Sequence, residues 1–174
     1  MISEKMTELG TKSSVIRELF EYGKNRKSEL GAENVFDFSL GNPSIPAPEK
    51  VKQAYIKLIS ECDPVMLHGY TSAQGDMGVR AKIAGYITES FGAPAGAENI
   101  YMTCGAAASL MATLRAVSNE GDEIIVLAPF FPEYTVFIDS AGAKQTVVKC
   151  REEDFQIDFE AFSASVNKNT KAVI

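Results

Sequence analysis

Histidine occurs once in the 174 residues, at position 68, and cysteine three times, at positions 62, 104 and 150. One imidazole cannot build a histidine metal site and leaves little for a nucleophile paired with histidine. An odd number of widely spaced cysteines suits neither a disulfide framework nor a CxxC metal knot, and a reducing cytoplasm is the expected setting. Basic residues are outnumbered, 17 Lys and Arg against 23 Asp and Glu, for a net charge of −6. That balance argues against a nucleic-acid surface, which needs clustered positive charge. No apolar run approaches the roughly 20 residues that span a membrane. The opening Met-Ile-Ser-Glu-Lys lacks the apolar segment of a secretory signal. Repeats and low-complexity tracts are missing as well. What remains is 45% hydrophobic, enough to bury a core.

The stretch around which the chain is organised is 99–117, Asn-Ile-Tyr-Met-Thr-Cys-Gly-Ala-Ala-Ala-Ser-Leu-Met-Ala-Thr-Leu-Arg-Ala-Val. Ile100, Tyr101 and Met102 predict a buried strand. Gly105 permits a sharp turn, and Ala106 to Ala108 open a helix whose Leu110, Leu114 and Val117 share one face. A helix start built of small residues leaves several backbone N–H groups free, and with the helix dipole they make an anion site. The turn therefore reads as a phosphate cup, although many α/β proteins carry such a junction and bind nothing there. It is not a Walker loop, because no Gly-Lys-Ser/Thr follows. Nor is it a dinucleotide fingerprint, because two of the three glycines are missing.

Along the chain, residues 1–12 read as a loose arm, and a helix from Ser13 to near Gly31 buries Ile16, Leu19, Phe20 and Gly23. Residues 35–40 alternate apolar and polar like a half-buried strand. The prolines at 43, 46 and 48 make a stiff passage, with Pro48 starting a helix that buries Val51, Ala54, Tyr55, Leu58 and Ile59. A polar loop over 68–75 leads to a helix capped by Asp76, with Val79, Ile83, Tyr86 and Ile87 inward. Strands follow at 123–127, 145–149 and from Lys171, with helices over 134–140 and after Asp158. Alternating strands and helices imply a largely parallel sheet with its ligand at the strands' carboxyl ends. The expected fold is α/β, a mostly parallel sheet with flanking helices plus an N-terminal helical arm. Residues 1–46 would be the arm and part of a small domain, and 47–174 part of a large cofactor-binding domain.

Leu40-Gly41-Asn42-Pro43, Gly69-Tyr70-Thr71 with Gly75 and Arg80, Thr103-Cys104-Gly105-Ala106-Ala107, Gly121-Asp122-Glu123 and 128–134 (Ala-Pro-Phe-Phe-Pro-Glu-Tyr) occur in that order. In this combination the chain resembles the N-terminal half of a fold-type I, pyridoxal-phosphate-dependent aminotransferase of the aspartate-aminotransferase-like class. The resemblance implies that Gly105, Ala106 and Ala107 hold the cofactor phosphate, through backbone donors alone. It implies that Phe131 stacks on the cofactor ring, the alternative being ordinary core packing. Tyr70 would reach the phosphate in the neighbouring subunit of a homodimer, and Gly41 would meet the substrate carboxylate. Asn42 is read as structural, His68 as solvated and Cys104 as a small buried residue.

The same resemblance places the lysine that holds the cofactor covalently, and the arginine that binds the substrate carboxylate, beyond Ile174. Lys168 and Lys171 lie in a polar segment and do not replace that lysine. No residue of this chain is therefore assigned a catalytic role. The whole protein is expected to move an amino group between an amino acid and a 2-oxo acid. The chain is expected to be a truncated piece, inactive alone and self-associating. A β-elimination lyase of the same fold, or a non-catalytic scaffold or regulatory domain, are the alternatives.

Overall fold

The first part of the arm, read as loose over 1–12, carries a helix of its own. In the computed structural model, which describes residues 2–11, 14–41 and 43–174, Glu4–Thr11 forms α1. The hydroxyls of Thr7 and Thr11 donate to carbonyls one turn back, which lets these residues sit in a short exposed helix. The chain divides into two compact units, Met1–Gly69 and Tyr70–Ile174.

In the first unit α2 (Val15–Leu30) ends at Gly31, whose φ of +88° no side chain with a Cβ adopts readily. Gly23 is the buried residue of α2. The reason is Asp37, whose Oδ2 would stand 2.8 Å from a Cβ at that position. Asp37 accepts hydrogen bonds from Lys27 Nζ at 2.8 Å, Ser39 N at 3.0 Å and Ser39 Oγ at 2.6 Å. The Lys27 bond above all, then those from Ser39, hold its carboxyl well below the usual carboxylate range.

Residues 35–40 consequently form no strand. The alternation is there, but Asp37 turns inward to its donors while Phe36 and Phe38 stand 83% and 92% exposed. α3 (Glu49–Glu61) starts after Pro48 as expected, yet none of its residues is buried and Val51, Tyr55, Leu58 and Ile59 are exposed. Its apolar face exists; nothing among the described residues of this unit covers it. α4 (Pro64–His68) is a single turn and a half capped by the Asp63 carboxylate.

The second unit opens with α5 (Met77–Phe91), capped by Asp76, whose Oδ1 accepts from Val79 N at 2.9 Å, and closed by left-handed Gly92. Its buried residues are Arg80 and Ala84; Val79 and Tyr86 of the expected stripe are exposed. A 3-10 turn, Ala97–Asn99, leads into 100–103. That segment is no strand, because no strand runs beside it among the described residues; its Met102 N–H donates instead to the carbonyl of Gln74 at 3.0 Å.

α6 (Ala106–Val117), β1 (Glu123–Ala128), α7 (Glu133–Ser140), β2 (Lys144–Lys149), α8 (Phe159–Ser165) and β3 (Thr170–Val173) then alternate as a parallel α/β unit. The sheet order is β2-β1-β3, with β1 parallel to both neighbours. β1 is apolar on both faces because it is central: Ile124, Ile125 and Val126 are fully buried. Ile124 and Val126 pack with Leu114 of α6 and with Phe137 and Ile138 of α7. The parallel α/β fold and the N-terminal helix are as the sequence implied.

Candidate functional site

β1 ends at Ala128, and the next residues turn through a cis Ala128–Pro129 bond into the aromatic loop. Leu110, one turn into α6, and Phe130 and Tyr134, just beyond β1, pack against the same core cluster. α6 ends at Val117 and β1 begins at Glu123, so the end of α6 lies by the strand's start, and the start of α6, like the Phe131 loop, lies toward the strand's carboxyl end. This is where a parallel sheet accepts a ligand.

Gly105 precedes α6 with φ +87° and ψ 170°, and nothing lies within 4 Å of where its Cβ would be. Gly105, Ala106 and Ala107 are exposed, and no side chain caps the helix. The nearby hydroxyls are already committed. Thr103 Oγ1 donates to the Gly105 carbonyl at 3.0 Å and shares a hydrogen with Ser109 Oγ at 2.5 Å, while Ser109 N–H also reaches that carbonyl, at 3.3 Å. They brace the turn and leave the amides of the first helical residues facing outward. Those amides, at the positive end of a 12-residue helix, are donors suited to a phosphate. A groove of about 240 Å³ runs along the flank of the same helix between Tyr101, Thr103 and Ala116.

Phe131 is half exposed, with its ring edge-to-face against Tyr134 at 5.7 Å and 82°. One partner fixes the ring and leaves the rest of it open to a second aromatic group. Tyr70 is fully exposed at the start of the loop that reaches Met102 through Gln74. Gly41, in the first unit, is exposed with open space around its Cβ position; Asn42 lies outside the described residues. His68 is exposed at the end of α4, and Cys104 is exposed beside the turn rather than buried, because 103–105 run along the surface. Lys171 lies in β3 near Asp122, with Nζ–Oδ2 3.9 Å, at the amino-terminal end of the sheet and away from the cup. Among the described residues no group of three or more His, Cys, Asp or Glu side chains could hold a metal.

These features define a parallel α/β domain with an uncapped, exposed helix start and an aromatic loop that follows the central strand. The sequence pattern of the family described as aminotransferase class I and II matches residues 33–174, and the chain belongs to that family. It is similar, at 50% identity and a TM-score of 0.93, to the crystal structure of an amino transferase from Eubacterium rectale, covering 99% of this chain and 44% of that one. Against aspartate aminotransferase from Thermotoga maritima it has 28% identity and a TM-score of 0.79, over 99% and 44% of the two chains. A probable aspartate aminotransferase of Methanocaldococcus jannaschii is 26% identical over the whole of this chain and 42% of its own length. The chain thus spans less than half the length of these relatives.

The sequence reading missed the partners that build the turn. Thr103 and Arg80 stood among the residues that carry the resemblance but were given no task, and the bond from Thr103 to Ser109 had no sequence signal.

Proposed function

We propose that this chain carries the phosphate-binding part of an aminotransferase site, in which pyridoxal 5'-phosphate serves transfer of an amino group between an amino acid and a 2-oxo acid. The observation that carries the reading is the uncapped, exposed start of α6 at the carboxyl end of β1, beside a half-exposed Phe131. Pyridoxal phosphate, when bound, supplies an electron-poor ring that activates bonds at the carbon bearing the amino group. The residues at hand do the holding. Amides of Ala106 and Ala107, with Gly105 giving them a bare approach, take the phosphate. Phe131 presents an aromatic face to the ring, as its single edge-to-face partner allows.

Tyr70, exposed and uncharged, offers a phenol to the phosphate of a second subunit in a homodimer. Gly41 offers backbone to the substrate carboxylate. Relatives named for aspartate, kynurenine and N-acetyl-LL-diaminopimelate show that the donor differs among similar proteins, so the reading commits to the reaction class. A cytoplasmic setting agrees with three free cysteines and with the absence, among described residues, of a helix long and apolar enough to cross a membrane.

Titrating the chain with pyridoxal phosphate, followed by absorbance, should give saturable binding that inorganic phosphate competes away. Gly105→Val, forced into a backbone region closed to β-branched residues, should abolish it. Phe131→Ala should weaken it by a few-fold to a few tens of fold, from lost stacking and lost apolar contact. Equal affinity in wild type and Gly105→Val would overturn the reading.

A further inference from the structure

Arg80 is the charged side chain buried among the described residues, 3% exposed, and the phosphate-site reading gives it no task. Its Nη1 donates to Gln74 Oε1 at 2.9 Å and to the Ala97 carbonyl at 3.0 Å, its Nη2 lies 3.7 Å from Met77 Sδ, and its Nε has no partner. No carboxylate pairs with it among the described residues. A guanidinium buried against neutral acceptors, one N–H unmet, carries a desolvation cost that no paired charge offsets. Its effect must lie in what it joins.

It joins two segments that the site uses. Gln74 sits in a turn closed by Gly75 N–H to Ser72 O at 2.8 Å and Ser72 Oγ to Gly75 O at 2.6 Å, four residues after Tyr70. Ala97 opens the 3-10 turn that runs through 100–103 into Gly105. Two further contacts bind the same pair of segments. Met102 N–H donates to the Gln74 carbonyl at 3.0 Å, and Gly75, at φ +95°, lies so close to Met102 that an added Cβ would be 2.7 Å from its Cβ. Gln74 is thus gripped at both ends, its side chain by Arg80 and its carbonyl by Met102.

We propose that Arg80 is a positioning residue: through Gln74 and Ala97 it locks the Tyr70 loop and the run-up to the Gly105 turn into one rigid piece. The inference rests on the phosphate-cup reading of that turn. With Tyr70 assigned to a neighbouring subunit, one clamp sets both a subunit's own cup and the donor it offers to the next.

The test uses the full chain and four variants. Gln74→Leu cuts the side-chain bond at an exposed position and should leave the fold intact, whereas Gln74→Glu keeps an acceptor for Arg80. Arg80→Lys keeps the charge and loses the fork. Gly105→Val reports on the cup. Two readouts are taken, hydrogen exchange at the Met102 amide by NMR and affinity for inorganic phosphate. Gln74→Leu and Arg80→Lys should speed Met102 exchange and weaken phosphate binding by about tenfold each, the scale of one hydrogen bond to a charged group. Gln74→Glu should preserve both, and exchange at Ile125 in the core should not change in Gln74→Leu. Unchanged Met102 exchange and phosphate affinity in Gln74→Leu and Arg80→Lys would overturn the clamp. Wild-type phosphate affinity in Gly105→Val would instead overturn the cup, and Met102 exchange would still decide the clamp.

Discussion

Gly23 and Asp37 are fitted to one another, and their coupling is measurable. An alanine in the middle of an exposed helix normally gains about 1 kcal/mol over glycine. At position 23 the new Cβ would meet the Asp37 carboxylate at 2.8 Å, and that carboxylate is held by Lys27 and Ser39. Gly23→Ala should therefore gain less in the wild type than in an Asp37→Ala background, which a double-mutant cycle of thermal melts would show. The pH dependence has a definite sign. Asp37 is depressed in the folded chain, by the Lys27 hydrogen bond first. Its contribution is thus complete above the unfolded carboxylate range, about pH 4, and is lost as pH falls below it. Acid melts of Asp37→Asn should lack that part of the slope. The sequence hid this site because its alternation of Phe36, Asp37 and Phe38 gives a period and not a direction. Which face turned inward was decided by three donors, one of them ten residues away on α2.

Helix ends were the most legible elements, because a cap is a local bond between residues two or three apart. Asp76 and Asp158 cap α5 and α8 as their positions suggested, and Gly31 and Gly92 stop α2 and α5. Replacing Asp76 by alanine should cost about 1 kcal/mol of stability and Asp76→Asn much less, since asparagine still accepts from Val79 N–H. Equal melts for the two variants would show that the cap bond contributes nothing. The central strand was legible for a different reason: four apolar residues in a row, 124–127, fit a position covered on both faces. The run 100–102 carries a similar signal yet forms no ladder. A strand is a property of two segments, and the partner is not written in the run itself. The apolar face of α3 fails for the same reason.

At the scale of the whole chain the surface is too large for its mass. A compact monomer of 18.9 kDa exposes about 8,300 Å², whereas this chain exposes 13917 Å². Two units are not the explanation, since two separate globules of 69 and 105 residues would together expose about 10,000 Å² by the same scaling. Large apolar side chains stand in that surface: Phe36, Phe38, Tyr55 and Ile59 each have more than half their area open, at 83%, 92%, 64% and 71%. Exposed apolar surface on that scale marks an interaction face or an aggregation liability. The sheet adds a second invitation, because β2 and β3 both lie at its edges, with no further strand beside either among the described residues. We therefore expect the 174-residue chain to self-associate, burying well above roughly 1,000 Å² in total. Light scattering across micromolar concentrations should show a mass above 18.9 kDa. Replacing both Phe36 and Phe38 by serine, which removes two exposed rings without touching Asp37, should shift the distribution toward monomer. A single monomeric species over that range, with a cooperative and concentration-independent melt, would defeat the expectation.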